Sequence, residues 1–406
     1  MSANTKQAPL WTKSFFMLIF ANWFVFMGFQ MLIPTFPPYI QSLGASSLEI
    51  GLVTTLFSVG AVFARPFIGY LLSFNKRRPM VLLGVATLLV LTILYPVTQI
   101  IFIFLLFRLV HGLAWGWTST SNGTAAVDLV PNSRIGEGMG YYGLSVTLSL
   151  AIAPSLGIYV YQQFNFNWVI VISTLLCVTS FILMSRVRFQ TPEAIKQTER
   201  KDVHFSYFGS LIEKRSWYPA LITLLTTFAY GSIVTYIVIF AQERGLEHIF
   251  LFYLFNATFA SVSRPFSGKW FDRHGPKAMV SVCAIFAFAA LWVLSFATSD
   301  IYIIIAGILF GIGYGSMLPS LQAWILSKTT TERRGVANGM YFSCIDGGIG
   351  LSAIVFGFIS TFVSYGALFQ IASFCFVAVS LLTVLAKSDN KQGQKPNHTK
   401  KVAANE

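Results

Sequence analysis

Unbroken apolar runs of about twenty residues recur from one end of this 406-residue chain to the other. Each run is long enough to cross a hydrocarbon core of roughly 30 Å as an α-helix. Charged residues make up only 11% of the chain, less than half of the roughly 25% in a soluble domain, so they cannot cover a water-facing surface. A membrane β-barrel would show short segments of alternating polarity instead. The pattern predicts an all-α polytopic membrane protein.

Twelve transmembrane helices are predicted, six on each side of one polar stretch. An N-terminal six-helix bundle, 1–186, is followed by a cytoplasmic linker, 187–215, a C-terminal six-helix bundle, 216–386, and a basic cytoplasmic tail, 387–406, that we expect to be disordered. The predicted spans are 14–36, 48–72, 79–98, 100–126, 136–161, 165–186, 216–240, 249–271, 277–297, 300–326, 334–361 and 365–386.

Basic residues fall almost entirely on one side of this topology. Loops rich in Lys and Arg stay in the cytoplasm because they resist translocation. With a cytoplasmic N-terminus, the opposite loops carry a single basic residue, Arg244. The formal charge of +13 is therefore a signal of topology and of attraction to anionic lipid, and we expect no nucleic-acid partner. Both termini are expected in the cytoplasm, with the protein in the plasma membrane.

The two halves of the chain repeat each other with one offset. Arg65-Pro-Phe-x-Gly69 recurs 199 residues later as Arg264-Pro-Phe-x-Gly268, and the same offset relates Gly112 to Gly311. Because the offset holds across several spans, it predicts parallel repeats related by a pseudo-two-fold axis along the membrane normal. A cavity between the halves is expected near the midplane.

The loop after the second span reads "GYLLSFNKRR" from Gly69, and its repeat reads "GKWFDRHGPK" from Gly268. Both resemble a loop pattern of the major facilitator superfamily, in particular of the twelve-span drug and metabolite:proton antiporters. The first copy has Ser73 where the family usually has Asp; the second keeps the acid as Asp272. A basic turn that only sets topology is the alternative. The resemblance implies a conformational latch made of Arg65, Gly69, Arg77, Arg78, Arg264, Gly268, Asp272 and Arg273.

The fourth span contains "RLVHGLAWG", which is similar to the antiporter pattern with His111 where Gln is more common. An Arg within the membrane is costly unless it faces a wet cavity or a partner, so Arg108 is a candidate for proton coupling or substrate binding. His111 is three residues away and shares its helix face. The alternatives are that Arg108 pairs with a helix carbonyl or a carboxylate to hold the fold, and that His111 is a packing residue.

The fifth span, "GYYGLSVTLSLAIAPSLG", is similar to the antiporter signature at Gly140, Pro154 and Gly157. Small residues at this spacing let one helix press against another, and proline bends the helix. The signature belongs to exporters more than to uptake symporters, so it favours export. Ordinary tight helix packing is the alternative.

Asp346, in "SCIDGGIG", lies well inside the eleventh span. A carboxylate there must be protonated, paired or hydrated, which makes it a candidate for proton coupling or for binding a cationic substrate. A structural ion pair, with Arg108 as one candidate partner, is the alternative. Four further polar side chains are candidates for lining the cavity: Gln30, Tyr142, Tyr230 and Tyr314.

Together these features predict a proton-coupled secondary transporter that exports small organic molecules by alternating access. Its expected partners are a small-molecule substrate, protons and the lipid bilayer, and we expect a monomer. A dedicated exporter of a polar metabolite, such as a sugar or a siderophore or metallophore, and a proton-coupled uptake symporter are the alternatives. We expect no enzyme, cofactor or metal site, because the sequence contains no phosphate-binding loop, and its four cysteines are scattered through apolar runs without metal-ligand spacing.

Overall fold

A computed structural model describes residues 9–72, 76–131, 135–190, 205–329 and 334–386. These residues are almost entirely helical. The helices before the linker are α1 (Lys13–Leu32), α2 (Phe36–Ser42), α3 (Ser47–Leu72), α4 (Arg77–Leu94), α5 (Ile101–Leu129), α6 (Ile135–Gln163) and α7 (Phe166–Arg186). The later helices are α8 (Tyr207–Leu211), α9 (Trp217–Glu243), α10 (Phe250–Ser295), α11 (Asp300–Ser327), α12 (Arg334–Ile359) and α13 (Tyr365–Leu385). The basic tail predicted at 387–406 lies outside the described residues.

The predicted membrane spans are present as helices. In the described part of the chain, eleven helical stretches are long and apolar enough to cross a membrane, and the shorter apolar segment Phe250–Ser263 occupies the place of the eighth span. The all-α polytopic class is confirmed. Helix α10 contains both the eighth and the ninth predicted span, and the chain turns between them at Gly275, where φ is 80°. Glycine adopts this φ readily because it has no Cβ.

Helix α2 was not predicted and lies between the first and second spans. Two prolines occupy its first turn, where the missing backbone N–H groups cost no hydrogen bond. Phe36 and Ile40 are buried, so the helix packs against the bundle instead of forming an exposed loop. A run of apolar residues broken by two prolines gave no signal for a helix in the sequence.

The internal repeat appears in the structure as repeated helix contacts. A Cβ atom added to Gly112 in α5 would lie 2.0 Å from the carbonyl oxygen of Phe57 in α3. A Cβ atom added to Gly311 in α11 would lie 2.4 Å from the carbonyl oxygen of Asn256 in α10. Phe57 and Asn256 are separated by the same 199 residues as the two glycines. Equivalent spans of the two halves therefore pack backbone to backbone at equivalent positions.

The two halves meet where α3 packs against α12, a contact that we call the seam. A Cβ atom added to Gly51 in α3 would lie 2.2 Å from the carbonyl oxygen of Ala353 in α12. One turn further along α3, the hydroxyl of Thr55 donates to the carbonyl oxygen of Gly350 at 2.6 Å. A second contact between the halves joins α6 and α10. The seam is tightest at the end of α3 that follows α2.

Candidate functional site

The seam carries a pair of opposite charges inside the membrane-spanning region. Nη1 of Arg65 in α3 lies 2.5 Å from Oδ2 of Asp346 in α12, and the two side chains are 10% and 15% exposed. Attraction between charges is strong in such low-dielectric surroundings, and each charge is costly there without its partner. Protonation of Asp346 would remove one of the two charges. The ion pair therefore joins the two halves of the chain through one basic and one acidic side chain.

The structure unites two residues that the sequence assigned to different sites. Arg65 was predicted in the latch and Asp346 in the coupling site, with Arg108 as a candidate partner for Asp346. That partner is wrong: Arg108 points from α5 into the first half of the chain, whereas Asp346 contacts α3 from the second half. Both charges are visible in the sequence, but the offset of 199 residues relates positions within the repeat and gives no information on pairs across the seam.

Arg108 is buried inside the first half. Its guanidinium lies between two rings, 4.6 Å from the centroid of Phe36 and 4.5 Å from that of Phe57, and its Nε donates to the carbonyl oxygen of Val53 at 3.0 Å. Cation–π contact and a carbonyl acceptor offset part of the cost of burying the charge. No carboxylate among the described residues forms an ion pair with it. This geometry agrees with the alternative in which Arg108 binds a helix carbonyl and holds the fold together.

His111 accepts hydrogen bonds from two sides. Its Nδ1 lies 2.9 Å from the hydroxyl of Tyr95 and 3.4 Å from Nη1 of Arg108. A guanidinium can only donate, so Nδ1 is the acceptor and we assign the ring proton to Nε2. Protonation of Nδ1 would remove this acceptor and add a positive charge beside a second one. The surroundings of His111 favour a neutral packing residue over a proton carrier.

In the first copy of the loop motif, the basic residue Arg77 pairs with an acidic residue on a different helix. Nε of Arg77 lies 2.5 Å from Oδ2 of Asp128 at the end of α5, and Nη2 of Arg78 donates to the carbonyl oxygen of Ser185 in α7 at 3.1 Å. Asp128 supplies a carboxylate where the family's usual Asp is replaced by Ser73, which lies outside the described residues. Asp128 was not among the predicted site residues, although an acidic residue at the end of the fourth span was a usable signal.

The second copy of the motif is described only in part. Arg264, Gly268 and Asp272 lie in α10, and their side chains are outside the described set. Arg273 is exposed. In the first copy, a Cβ atom added to Gly69 would have no described heavy atom within 4 Å.

The predicted packing signature of α6 lies against α1. A Cβ atom added to Gly157 would lie 2.3 Å from the carbonyl oxygen of Met31, and the hydroxyl of Ser149 donates to the carbonyl oxygen of Trp23 at 3.1 Å. Gly140 and Pro154 lie in the same helix. Small side chains thus let α6 approach the backbone of α1, as tight helix packing in membranes requires.

Tyr142, a predicted cavity residue, belongs to a buried polar cluster formed by α1, α5 and α6. Its hydroxyl donates to Oδ1 of Asn22 at 3.2 Å, and the amide of Asn122 donates to the same oxygen at 3.2 Å. The amide of Asn22 donates to the hydroxyl of Ser145 at 3.0 Å. Asn122 and Ser145 were not singled out in the sequence, because isolated polar residues in apolar spans carry no spacing signal.

Two other predicted cavity residues lie together in the second half. The rings of Tyr230 and Tyr314 stack with centroids 4.4 Å apart, and Phe310 extends the stack at 4.8 Å from Tyr314. Gln30 in α1 is half-buried. Tyr142 and the pair of Tyr230 and Tyr314 therefore belong to two separate groups, one polar and one aromatic. Within the described residues, no group of three His, Cys, Asp or Glu side chains could hold a metal ion.

Apolar helices in two repeated sets, with ionisable side chains at the contact between the sets, define the architecture of a secondary transporter. The model of the Major Facilitator Superfamily matches residues 18–269 and 250–405. The chain belongs to this superfamily.

Several members of the superfamily are similar to the chain over most of their length. The staphylopine export protein of Staphylococcus aureus is 22% identical over 358 residues, which cover 86% of this chain and 89% of that protein. The multidrug resistance protein MdtG of Serratia proteamaculans is 24% identical over 341 residues, covering 80% and 82%. The crystal structure of the nucleoside transporter NupG has the same fold, with a TM-score of 0.74, 13% identity and coverage of 92% and 99%.

Proposed function

We propose that the protein is a proton-coupled exporter of small organic molecules in the plasma membrane. The bundles 1–186 and 216–386 would alternate between two facings, with the linker and both termini in the cytoplasm. The observation that carries the proposal is the ion pair between Arg65 and Asp346, which ties a titratable group to the contact between the halves. Export as the direction of transport is supported by the similarity to a staphylopine export protein and a multidrug resistance protein, and by the signature of α6.

The pair suggests how protons and conformation are coupled. With Asp346 ionised, parting α3 from α12 separates two charges in the membrane, which is costly because neither is hydrated there. With Asp346 protonated, the attraction is gone and the seam opens with a smaller free-energy cost. A proton that enters from one side and leaves on the other would thereby drive the cycle in one direction.

We propose that the substrate contacts both the cluster around Asn22 and the stack of Tyr230 and Tyr314. The cluster around Asn22 offers amide and hydroxyl groups, and the stack of Tyr230 and Tyr314 offers an aromatic surface. A site that combines both suits small organic molecules with polar and flat apolar parts. We propose that the transporter works as a monomer, because each chain contains both halves of the site.

A transport assay in inside-out vesicles with an imposed proton gradient tests the proposal. The panel comprises a cationic dye, a disaccharide and a metallophore. We expect accumulation of one class when the lumen is acidic, and loss of that accumulation in Asp346→Asn. The variant Glu243→Gln, at the exposed end of α9, is the control and is expected to transport normally. Accumulation without a gradient would contradict proton coupling, and gradient-driven efflux from the vesicles would indicate uptake symport instead.

Export of a single polar metabolite is the second candidate. It is favoured by the similarity to a staphylopine export protein and by the amide-rich cluster around Asn22. The same panel separates the two candidates, since a dedicated exporter is expected to accumulate one polar compound and to leave the dye outside.

A further inference from the structure

A cavity of about 770 Å³ opens at the end of the molecule opposite the linker, and we call it the vestibule. Residues of α2, of the connection between α6 and α7, and of the end of α9 line it, so both halves of the chain contribute. It is distinct from the ion pair of the seam, the cluster around Asn22 and the tyrosine stack, none of which contributes a lining residue.

Side-chain amides are the most numerous polar side chains that line the vestibule. Gln99, Gln162, Asn167 and Gln242 all line it, and none of these amides makes a hydrogen bond to another described residue. Each amide offers two N–H donors and a carbonyl acceptor. Four such groups around one cavity can serve several donors and acceptors of one ligand at the same time.

Aromatic rings form the other part of the lining. Tyr39 and Phe166 are stacked, with centroids 3.7 Å apart, and Tyr161 and Phe164 also line the vestibule. Aromatic rings next to hydrogen-bonding groups present a flat apolar surface and a polar surface to one ligand. The C–H faces and hydroxyl groups of a sugar ring are complementary to this combination.

The vestibule carries little charge and offers no basic side chain among its described lining residues to bind an anionic ligand. Glu247 is the one charged side chain among its described lining residues, and it is exposed. Arg244, close to Gln242 in sequence, donates instead to the carbonyl oxygen of Ala297 and lies over the ring of Phe240. A single exposed carboxylate accepts hydrogen bonds from hydroxyl groups but gives little net attraction for a cation, because water and salt screen it.

We propose that the vestibule binds uncharged, polyhydroxylated molecules of the size of a mono- or disaccharide. This site goes beyond the proposed export activity, because a ligand can occupy it whether or not protons drive transport. Its position at the end opposite the linker would place such a ligand where the path between the halves reaches the other side of the membrane.

Protection of an introduced cysteine tests this proposal in the full-length protein in lipid nanodiscs. The variant Ser42→Cys places a thiol on the exposed rim of the vestibule, and Ser299→Cys places one on the exposed connection before α11, away from the lining residues. The probe is maltose and the reagent is a polar maleimide. Glycine betaine at equal osmolarity, which has no hydroxyl group, controls for solvent effects.

We expect maltose to slow labelling at position 42 about three-fold, as for roughly two-thirds occupancy, and to leave position 299 unchanged. Adding Gln162→Ala to the reporter is expected to remove most of the protection, whereas adding Asp346→Asn is expected to preserve it. Equal labelling with maltose and betaine, or equal protection at both positions, would overturn the proposal. Because Asp346→Asn removes coupling but not the vestibule, failure of proton-driven export leaves this result unchanged.

Discussion

Arg65 and Asp346 form an ion pair across the seam, and the repeat does not duplicate this pair. The repeat counterpart of Arg65 is Arg264, but the counterpart of Asp346 is Thr147, which cannot be ionised. The α3–α12 and α6–α10 contacts between the halves are therefore chemically different, although their helices are related by the repeat. Among the described residues, an ion pair joins the halves at the α3–α12 contact and none does so at the α6–α10 contact, and we call the pair of Arg65 and Asp346 the lock.

If the lock couples protons to transport, both charges are required for activity, and the acidic and basic residues can exchange positions. We expect Asp346→Asn and Arg65→Gln each to lower gradient-driven transport at least tenfold, a change equivalent to about 1.4 kcal/mol. The exchange Arg65→Asp with Asp346→Arg restores the pair in the opposite order and is expected to recover part of the activity. Transport in inside-out vesicles measures all three variants, with folding checked by size-exclusion chromatography. Wild-type activity in Asp346→Asn would remove the pair from the mechanism.

Arg108 is predicted to support the fold more than the chemistry. In Arg108→Ala the ring sandwich and the hydrogen bonds to Val53 and His111 are lost, and we expect destabilisation of about 2–4 kcal/mol, in the range of large-to-small core substitutions. Arg108→Lys is not expected to rescue it, because an ammonium lacks the planar fork. Thermal unfolding in detergent measures both. The control is Arg244→Ala at an exposed site, and an equal loss there would show that burial of Arg108 has no special effect.

The repeated helix contacts predict matched effects of two substitutions in different halves. Gly112→Ala and Gly311→Ala place a methyl group against the backbone of Phe57 and Asn256, and overpacking of this kind costs about 1–3 kcal/mol. Gly143→Ala is the control, since its Cβ would meet no described atom within 4 Å. It is expected to be neutral or to stabilise the helix by up to about 1 kcal/mol. Unequal losses at positions 112 and 311 in thermal unfolding would contradict equivalent packing.

The sequence predicts features that repeat or that have a fixed spacing. The number and order of spans follow from hydropathy, and the contacts of Gly112 and Gly311 follow from the common offset. The pairing of Arg65 with Asp346 has neither a repeat nor a short spacing, because it depends on how two separately encoded halves dock. The same reason applies to Arg77 and Asp128, which lie on helices whose facing surfaces are decided by packing of apolar residues.

The tight end of the seam can be tested with a steric wedge. A Cβ atom at position 51 would lie 2.2 Å from the carbonyl oxygen of Ala353 and 3.0 Å from the hydroxyl of Tyr236. Gly51→Val therefore cannot fit while α3 and α12 remain in contact there, and a backbone carbonyl cannot turn aside as a flexible side chain does. We expect the variant to favour the conformation in which this end is open and to transport slowly.

Labelling of a cysteine at position 54 reports the opening, because Thr54 is buried next to the seam, where the hydroxyl of Thr235 in α9 donates to its hydroxyl at 3.3 Å. In Thr54→Cys we expect Gly51→Val to raise the rate of reaction with a polar maleimide about tenfold or more, since burial by the facing helix otherwise blocks the reagent. Gly143→Val in the same background is the matched control and is expected to leave the rate unchanged. The four native cysteines, Cys177, Cys283, Cys344 and Cys375, lie within spans, and the unsubstituted protein gives their background. An unchanged rate together with normal transport would mean that α3 and α12 do not part at this end during the cycle.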